Sequence, residues 1–574
     1  MSTHARLLAE ALSARTDADL ATLFARREVR PDATWNDFFD AAEALLDAGS
    51  LARILPHLTR AEATGLVRAA EGEDPGAVAA ALQALALISA GSQVTPPVAA
   101  AVAGREIPEA DGGDDPRPAD GTAAARAAER AFTAVAALAD ALLLAQETPF
   151  ALLAGGTVGL SEKRRLAERG LPDDPLLLDD LLALGTDAGL LRHEGRTLQL
   201  TDAGAAWLHL PGPERWARLV AGYRDALPSA LRSAAGGWIP PALWPGEHPW
   251  NAAWPARAES LTRQAGLLGL FADGDAETPW ATAARRGETP DASALTPHVP
   301  AEVDRIFLQN DLTAIAPGPL LPALDLRLRG MAVRESASQA SSYRFTADSL
   351  AGALSAGESE EDVLAFLEGI SLTGVPQPLR YLLAQSAGRH GQVRVGTDPG
   401  SGRTRIRSRD PHLLEAIGVD QALRPLGLVR EGDALTTRVN RDTVFWALTD
   451  EHYPAALVDA DGRVERPTRA PAVTPVEVES PQIRYAPLIA RLREARGVDV
   501  DTAWLERELE HAARQRAVLA VEVAMPDGSA RELVLEVTGF GGGRLRGRDL
   551  AGDVERTLPI RSILKTRAIE ESGS

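Results

Sequence analysis

Apolar residues recur at helical spacing through the first hundred residues of the chain. Within residues 35–49 they fall on one face of a predicted helix, and Gly49 follows as a natural C-cap. These residues are Phe38, Phe39, Ala42, Leu45 and Leu46. Similar spacing across residues 1–105 predicts an N-terminal helical domain. Small DNA-binding modules and scaffolding bundles both have this pattern, and we favour the bundle.

Two segments interrupt the periodic pattern. Residues 106–122 are acidic and rich in proline and glycine, with almost no side chain to bury. Residues 465–481 are rich in proline and valine. Both segments predict linkers. The remaining chain then divides into predicted domains at residues 1–105, 123–210, 211–300, 301–464 and 482–574.

Residues 123–210 predict three helices and a short hairpin that turns at Gly195 and Arg196, which is the order of a winged-helix domain. The second helix carries Lys163, Arg164 and Arg165, which are candidate nucleic-acid contacts. A recognition helix needs basic or amide side chains to reach base edges. The third helix is acidic instead, so the pattern disfavours sequence-specific recognition and leaves a protein-interaction module as the alternative. Its acidic residues are Asp174, Asp179, Asp180 and Asp187.

Residues 211–300 predict a helical region that is rich in tryptophan. Tryptophans at this density stack on exposed bases or pack the interior between helices. We favour packing, because few basic residues accompany them and a single-strand groove requires a basic lining. The tryptophans are Trp216, Trp238, Trp244, Trp250, Trp254 and Trp280.

Residues 301–464 predict an α/β module with the densest basic run in the chain. A strand around residues 393–395 is predicted to pair with a strand around residues 401–410. Alternation places every second side chain on one face, and no core accepts a row of arginines without partners. A solvated face and a phosphate-contacting face remain equal alternatives. The candidate contacts are Arg394, Arg403, Arg405, Arg407 and Arg409.

Residues 482–574 predict a helix followed by several strands, with a hairpin turn at Pro526–Asp527–Gly528. Basic residues alternate along one of the later strands and make a candidate anion-facing surface, although Asp549, Asp553 and Glu555 offset several of them. The candidate contacts are Arg544, Arg546, Arg548 and Arg561.

Charge and composition narrow the classes of function. The 574 residues carry a net charge of −20, which argues against a protein that coats nucleic acid but permits a local basic face. The sequence has no cysteine, which excludes disulfides, cysteine-ligated zinc and thiol nucleophiles. No signal peptide or membrane-spanning segment is evident, so we expect a cytoplasmic protein without a membrane partner.

Three motifs between residues 306 and 395 resemble a known family. They are APGPL (residues 316–320), YRFTADSL (343–350) and GVPQPLRYLL (374–383). They are similar to the XPB/Ssl2-like helicase N-terminal domain of actinobacterial helicase-associated proteins. The resemblance implies an accessory protein that acts in DNA repair or defence and meets distorted or single-stranded DNA, or docks onto a helicase or nuclease.

The C-terminal segment resembles a WYL-like domain, a small β-barrel that couples ligand or nucleic-acid binding to regulation. The matching parts are the helix that leads to the Asp-Gly turn and the sequence RTLPIRSI (556–563). Where the family has Trp-Tyr-Leu, this chain has Arg544, Leu545 and Arg546. This departure puts the usual ligand site in doubt.

Together these patterns predict a multidomain, mainly α-helical protein with α+β modules. The modules are an N-terminal helical region, a winged helix, an XPB/Ssl2-N-like α/β module and a C-terminal small β-barrel of the WYL type.

The sequence contains none of the common catalytic motifs. A helicase motor needs the phosphate loop G-x-x-x-x-G-K-[ST], and neither of the two lysines, Lys163 and Lys565, follows the required glycines. The string DEHY at residues 450–453 resembles a magnesium-binding box, but it comes late in the chain, and we interpret it as a surface turn. Zinc, nucleophile and dinucleotide motifs are also missing from the sequence. We therefore expect no enzyme activity, no cofactor and no metal.

Three hypotheses remain. The first is a non-catalytic helicase-associated protein that binds DNA or docks onto a helicase or nuclease. The second is a transcriptional regulator built from a winged helix and a WYL-like barrel. The third is a protein-interaction scaffold without nucleic-acid binding, which the net charge favours.

Overall fold

The computed structural model divides the chain into two compact units. The first unit combines Met1–Gly112, Leu243–Ala258 and Val476–Ser574, and the second combines Gly113–Ala242 and Glu259–Pro475. The structure describes residues 2–109, 116–272, 276–337, 340–459, 462–465, 479–494, 500–525 and 529–568. The multidomain, mainly helical architecture with antiparallel sheets is thus confirmed. No helix in the described part of the chain combines the length and apolarity needed to cross a membrane.

The predicted domain boundaries remain predictions. The centres of both predicted linkers, residues 110–115 and 466–478, lie outside the described residues, as does the predicted turn Pro526–Asp527–Gly528. The units nevertheless include a connection that no sequence pattern signalled. The last hundred residues belong to the same compact unit as the first hundred.

Among the described residues, seven α-helices form the N-terminal part of the first unit. Side-chain caps begin several of them: Thr59 and Glu62 form a reciprocal capping box at the fifth helix, and Asp37 accepts two backbone N–H groups at the third. The helices are α1 (Ser2–Ala14), α2 (Asp17–Arg26), α3 (Phe38–Leu46), α4 (Ala48–Ile54), α5 (Arg60–Ala70), α6 (Ala79–Ala84) and α7 (Pro96–Val102).

The second unit begins with a long helix, two shorter helices and a three-stranded antiparallel sheet of order β1-β3-β2. The hairpin turns at Gly195, whose φ of 57° suits glycine, at the predicted position. The elements are α8 (Gly121–Glu147), β1 (Phe150–Ala151), α9 (Leu160–Glu168), α10 (Pro175–Asp187), β2 (Leu191–Glu194), β3 (Thr197–Leu200), α11 (Asp202–Trp207) and α12 (Gly212–Ala226).

The tryptophan-rich region contains α13 (Trp254–Leu267), α14 (Thr282–Arg285) and α15 (Ala292–Leu295). Trp216, Trp238, Trp244, Trp254 and Trp280 are each at most 5% exposed. The indole N–H groups of Trp216 and Trp280 donate to the carbonyls of Leu268 and Gly269, at 2.8 Å each. These five side chains therefore pack the interior, as we favoured, whereas the sixth, Trp250, is only half-buried.

Residues 306–389 form a four-stranded antiparallel sheet of order β4-β5-β7-β6 with four helices. Its buried cluster includes Ile306, Tyr343 and Leu367. The elements are β4 (Phe307–Leu308), β5 (Thr313–Ala316), α16 (Pro322–Arg329), β6 (Val333–Ala337), β7 (Ser341–Arg344), α17 (Ala347–Ser355), α18 (Glu360–Ile370) and α19 (Gln377–Arg389).

A five-stranded sheet of order β10-β11-β9-β8-β12 follows. Only the β8–β12 pair is parallel. The helix that precedes the last strand ends at Asp450, and Asp450, Glu451 and His452 are exposed, as expected for a surface turn. The elements are β8 (Val393–Thr397), β9 (Thr404–Ser408), α20 (Pro411–Val419), β10 (Val429–Glu431), β11 (Ala434–Thr437), α21 (Arg441–Asp450) and β12 (Ala455–Leu457).

The described part of the chain ends with two helices and a five-stranded antiparallel sheet of order β16-β15-β14-β13-β17. The elements are α22 (Pro481–Glu494), α23 (Val500–Gln515), β13 (Val518–Ala524), β14 (Ala530–Gly541), β15 (Arg544–Asp549), β16 (Val554–Pro559) and β17 (Ile563–Ala568).

The prediction of a C-terminal β-barrel was wrong in its closure. Strands β16 and β17 lie at opposite edges of the sheet, and the 3-10 turn Ile560–Ser562 joins them. Three residues span only about 10 Å, so the sheet must be strongly curled to bring its edges together. A barrel closes when its two edge strands exchange hydrogen bonds. Among the described residues β17 pairs with β13 alone, which leaves an open sheet.

Helix α22 joins the core of the N-terminal helices. Tyr485, Leu488 and Leu492 are buried in the same apolar cluster as Phe24 and Leu45. The Tyr485 hydroxyl donates to the Val29 carbonyl at 2.7 Å. These contacts explain why residues distant in sequence form one compact unit.

Candidate nucleic-acid interface

The sheet around β8 and β9 has one apolar face and one basic face. Val393 and Val395 on β8 and Ile406 on β9 are fully buried against α20 and α21. Strand alternation sends the intervening Arg394, Arg405 and Arg407 to the opposite face. The local fold is therefore what the apolar alternation predicted, and the basic face is its consequence.

Arg394 and Arg407 are directly opposite each other in the antiparallel pair β8–β9. Both side chains are exposed, and neither forms an ion pair with any residue in the described ranges. Like charges opposite each other on neighbouring strands repel and destabilise the pair. An anion bound between the two guanidinium groups would remove that cost.

Arg403 and Arg405 have acidic partners from neighbouring turns. Arg403 lies 3.2 Å from Glu431, and Arg405 lies 3.1 Å from Asp433 and 3.8 Å from Asp398. The hydrogen bond from the Ser401 hydroxyl, followed by the charges of Arg405 and Arg407, lowers the pKa of Asp398 below its ordinary value. These acids neutralise two of the predicted contacts.

Arg409 follows the end of β9 and is exposed. The adjacent Asp410 caps α20 by accepting the backbone N–H of His412 at 2.9 Å. Arg409 has no ion-pair partner within the described part of the chain. The predicted arginine row therefore divides into three open positions (Arg394, Arg407 and Arg409) and two neutralised ones.

The basic residues of α9 are placed differently. Lys163 Nζ lies 2.5 Å from Asp179 Oδ2 on α10, and Arg165 makes two hydrogen bonds to Glu162, at 2.6 and 2.9 Å. The mutual hydrogen bond raises the pKa of Arg165 and lowers that of Glu162. Of the three predicted contacts, only Arg164 is an exposed cation without an ion pair to a described residue.

Helix α10 is held within the second unit through Asp180. This carboxylate is buried and accepts hydrogen bonds from Arg263 at 2.9 Å and Ser260 at 2.8 Å. A helix anchored in this way, with acidic residues between its apolar ones, is a poor candidate for the major groove. Asp180 therefore serves the packing of the second unit.

On the C-terminal sheet the predicted contacts also divide. Arg544, Arg546 and Arg561 are exposed and form no ion pair with a residue that the structure describes. Arg548 pairs with Asp553 at 2.5 Å, and Arg556 pairs with the buried Asp549 at 2.7 Å.

The second unit contains a cavity of about 1320 Å³ beside α8 that the sequence analysis missed. Asp140 on α8 pairs with Arg334 and, at 2.7 Å, with Arg329, while the Tyr343 hydroxyl donates to Asp325 at 2.6 Å. Burial and the neighbouring Asp325 raise the pKa of Tyr343. These groups satisfy one another, so they join elements of the unit and present no free site. Among the described residues no acidic or histidine cluster suits a metal ion.

Comparison with known protein families gives one match. Residues 306–432 match the family described as helicase conserved C-terminal domain, which covers less than a quarter of the 574 residues. The match includes the three sequence motifs and the strands β8 and β9. It supports a helicase-associated protein, whereas the XPB/Ssl2-like, winged-helix and WYL-like assignments remain predictions. No curated protein matches the chain.

Proposed function

We propose that this helicase-related protein is a non-catalytic DNA-binding accessory that contacts phosphates through the basic face of β8 and β9. The observation that carries the proposal is the open pair Arg394 and Arg407, directly opposite each other within the family-matched segment. Arg409 extends the open charge at the end of β9. A phosphate backbone would supply an ion-pair partner for these arginines without requiring base-specific contacts.

The lack of a motor sequence supports a non-catalytic role. ATP-driven helicases hold the nucleotide phosphates with a phosphate loop that ends in lysine, and this chain has no such sequence. We therefore assign to the protein an accessory role beside a helicase or nuclease in DNA repair or defence, in which the partner provides the catalytic activity.

The finer domain types belong to the same proposal. The order helix, strand, two helices and hairpin, with the sheet β1-β3-β2, favours a winged helix for residues 121–200. A helix before a curled five-stranded sheet favours a WYL-like C-terminal segment. The neutralised surface of α9 favours protein docking over DNA contact for the winged-helix segment, which also speaks against a sequence-selective transcriptional regulator.

Binding measurements across salt concentrations test the DNA proposal. Fluorescence anisotropy with duplex, bubble and single-stranded oligonucleotides should detect binding that weakens as salt rises. The variant R394A/R407A should lower the slope of log K against log salt on duplex DNA by about 2, because each lost phosphate contact removes about 1. The matched variant R403A, whose arginine is paired with Glu431, should change affinity by no more than about twofold. A flat salt response, or no binding at low salt, contradicts the proposal.

A protein-interaction scaffold is the second candidate. The net charge of −20 and the internal pairing of Lys163 and Arg165 favour it. Recovery of an ATPase partner that persists after nuclease treatment, combined with no DNA binding, would support the scaffold in place of the first proposal.

A further inference from the structure

In the hairpin β14–β15 of the first unit, two exposed arginines without ion pairs to described residues lie opposite glycines. In its register Arg546 is opposite Gly539, and Arg544 is opposite Gly541. On the other side of β15 the same arginines are opposite Thr557 and Pro559. None of these four neighbours is charged, so the register gives Arg544 and Arg546 no counter-charge.

The next arginine on the same strand has the opposite surroundings. Arg548 is opposite Glu536 on β14 and Glu555 on β16, and it pairs with Asp553 at 2.5 Å. All three arginines alternate with buried residues and share the outward face. The strand is therefore neutralised at one end and open at the other.

Neither conformation nor packing requires glycine at positions 539 and 541. Both lie outside the left-handed region, and a Cβ added at either would meet no atom within 4 Å. On the core face of β15 the situation is different, because a Cβ on Gly547 would come within 3.0 Å of the Glu536 carbonyl oxygen. Glycine within a strand weakens it and marks a bulge, a tight bend or a place where a ligand approaches the backbone closely. The register of β14 and β15 shifts between Val537 and Gly539, so Gly539 borders a bulge, whereas the pairing from Gly539 to Gly541 is regular and leaves the backbone accessible to a ligand.

The glycine strip is also accessible from its other edge. Strand β13 pairs with β14 only as far as Glu536, so Gly539 and Gly541 have β15 as their single neighbouring strand among the described residues. The tip of the hairpin, Gly542 and Gly543, adopts positive φ angles of 62° and 69°. No side chain from the tip or from the glycine strip covers the two arginines.

We infer that the surface formed by Arg544, Arg546, Gly539 and Gly541 binds the phosphodiester backbone of a nucleic acid. Alternate residues of a strand lie about 6.6 Å apart, so the arginines form a row of charges suited to successive phosphates. Because Gly539 and Gly541 have no side chains, an extended backbone can lie against the strand beside the two arginines. Arg561, exposed in the turn two residues after Pro559, adds a cation near the same end of the row.

This site belongs to the first unit and does not depend on the β8–β9 face. The test therefore uses the full chain carrying R394A/R407A, with labelled single-stranded and duplex oligonucleotides at low salt. In that background R544A/R546A should weaken binding by about tenfold and lower the salt slope by about 1.4 on a single strand. R548A, on the same face of the same strand, should change affinity by no more than about twofold. Comparison of the two affinities shows whether the site prefers a single strand or a duplex.

Filling the glycine strip separates a binding role from a structural one. G539V should leave the thermal midpoint unchanged or raise it, while it weakens oligonucleotide binding. G547V is the packing control and should lower the midpoint. Equal affinities of the R544A/R546A and R548A variants would overturn the inference. So would a complete loss of oligonucleotide binding in R394A/R407A itself. A thermal midpoint of G539V as low as that of G547V would also overturn it. Displacement by inorganic phosphate at equal phosphate concentration, or equal binding of polyglutamate, would overturn the nucleic-acid assignment.

Discussion

The basic cluster of α9 and the basic face of β8 and β9 differ in where their counter-charges lie. On α9 the partners are a residue one helical turn away and an aspartate on the adjacent helix. On β8 and β9 the nearest cross-strand neighbour of Arg394 is another arginine. The comparison teaches that a run of basic residues becomes a binding surface only where the fold leaves its charges without partners.

The largest expected effect tests whether charges of the α9–α10 region serve the fold. D180N should lower the free energy of unfolding of the second unit by about 2–3 kcal/mol. The substitution removes the buried negative charge that accepts the hydrogen bonds of Arg263 and Ser260. Chemical denaturation measures this loss. D179N, which alters the exposed partner of Lys163, should cost no more than about 1 kcal/mol. Equal losses in the two variants would contradict the structural role of Asp180.

A charge reversal on β9 tests whether Arg394 and Arg407 repel each other and bind DNA. R407E places a carboxylate opposite Arg394, so the variant should gain up to about 1 kcal/mol in stability. The same change should weaken DNA binding by more than R407A does, because it adds a repelling charge to the face. Denaturation and anisotropy on the same samples measure both effects. A less stable variant with unchanged binding would refute the assignment of this face.

Removing acids should open the two neutralised arginines. E431Q/D433N takes away the partner of Arg403 and the nearer of the two partners of Arg405, so DNA affinity should rise by about threefold at low salt. The rise should disappear at high salt, since screening weakens exposed charges. The control E415Q/D442N removes two negative charges elsewhere in the second unit, so an equal rise there would show that only net charge matters.

The smallest expected effect is on α9. K163A/R165A should change DNA affinity by less than about twofold, because both side chains are already paired within the segment. Anisotropy under the conditions used for R394A/R407A measures it. A loss as large as that of R394A/R407A would show that α9 contacts DNA.

Local patterns predicted much of the fold. The alternation of Val393, Arg394 and Val395 indicated a strand with one buried face, and the turn at Gly195 marked the hairpin. Barrel closure failed as a prediction because it depends on hydrogen bonds between edge strands. The packing of α22 against the N-terminal helices was missed because its partners are more than 400 residues away in sequence.

The candidate site shows the same division. The sequence identified every arginine of the basic strand, but it could not separate Arg394 and Arg407 from Arg403 and Arg405. That distinction depends on the β10–β11 turn, which brings Glu431 and Asp433 to the sheet from about 28 residues away.

The sequence by itself determined the helices, the strands, the helicase association of the central segment and the lack of a motor sequence. These properties follow from short-range periodicity and contiguous motifs, which a linear chain displays directly. Only the tertiary structure decided which charges remain open and which residues share a compact unit. The reason is that ion pairs and edge-strand pairing depend on register and distance between segments remote in sequence.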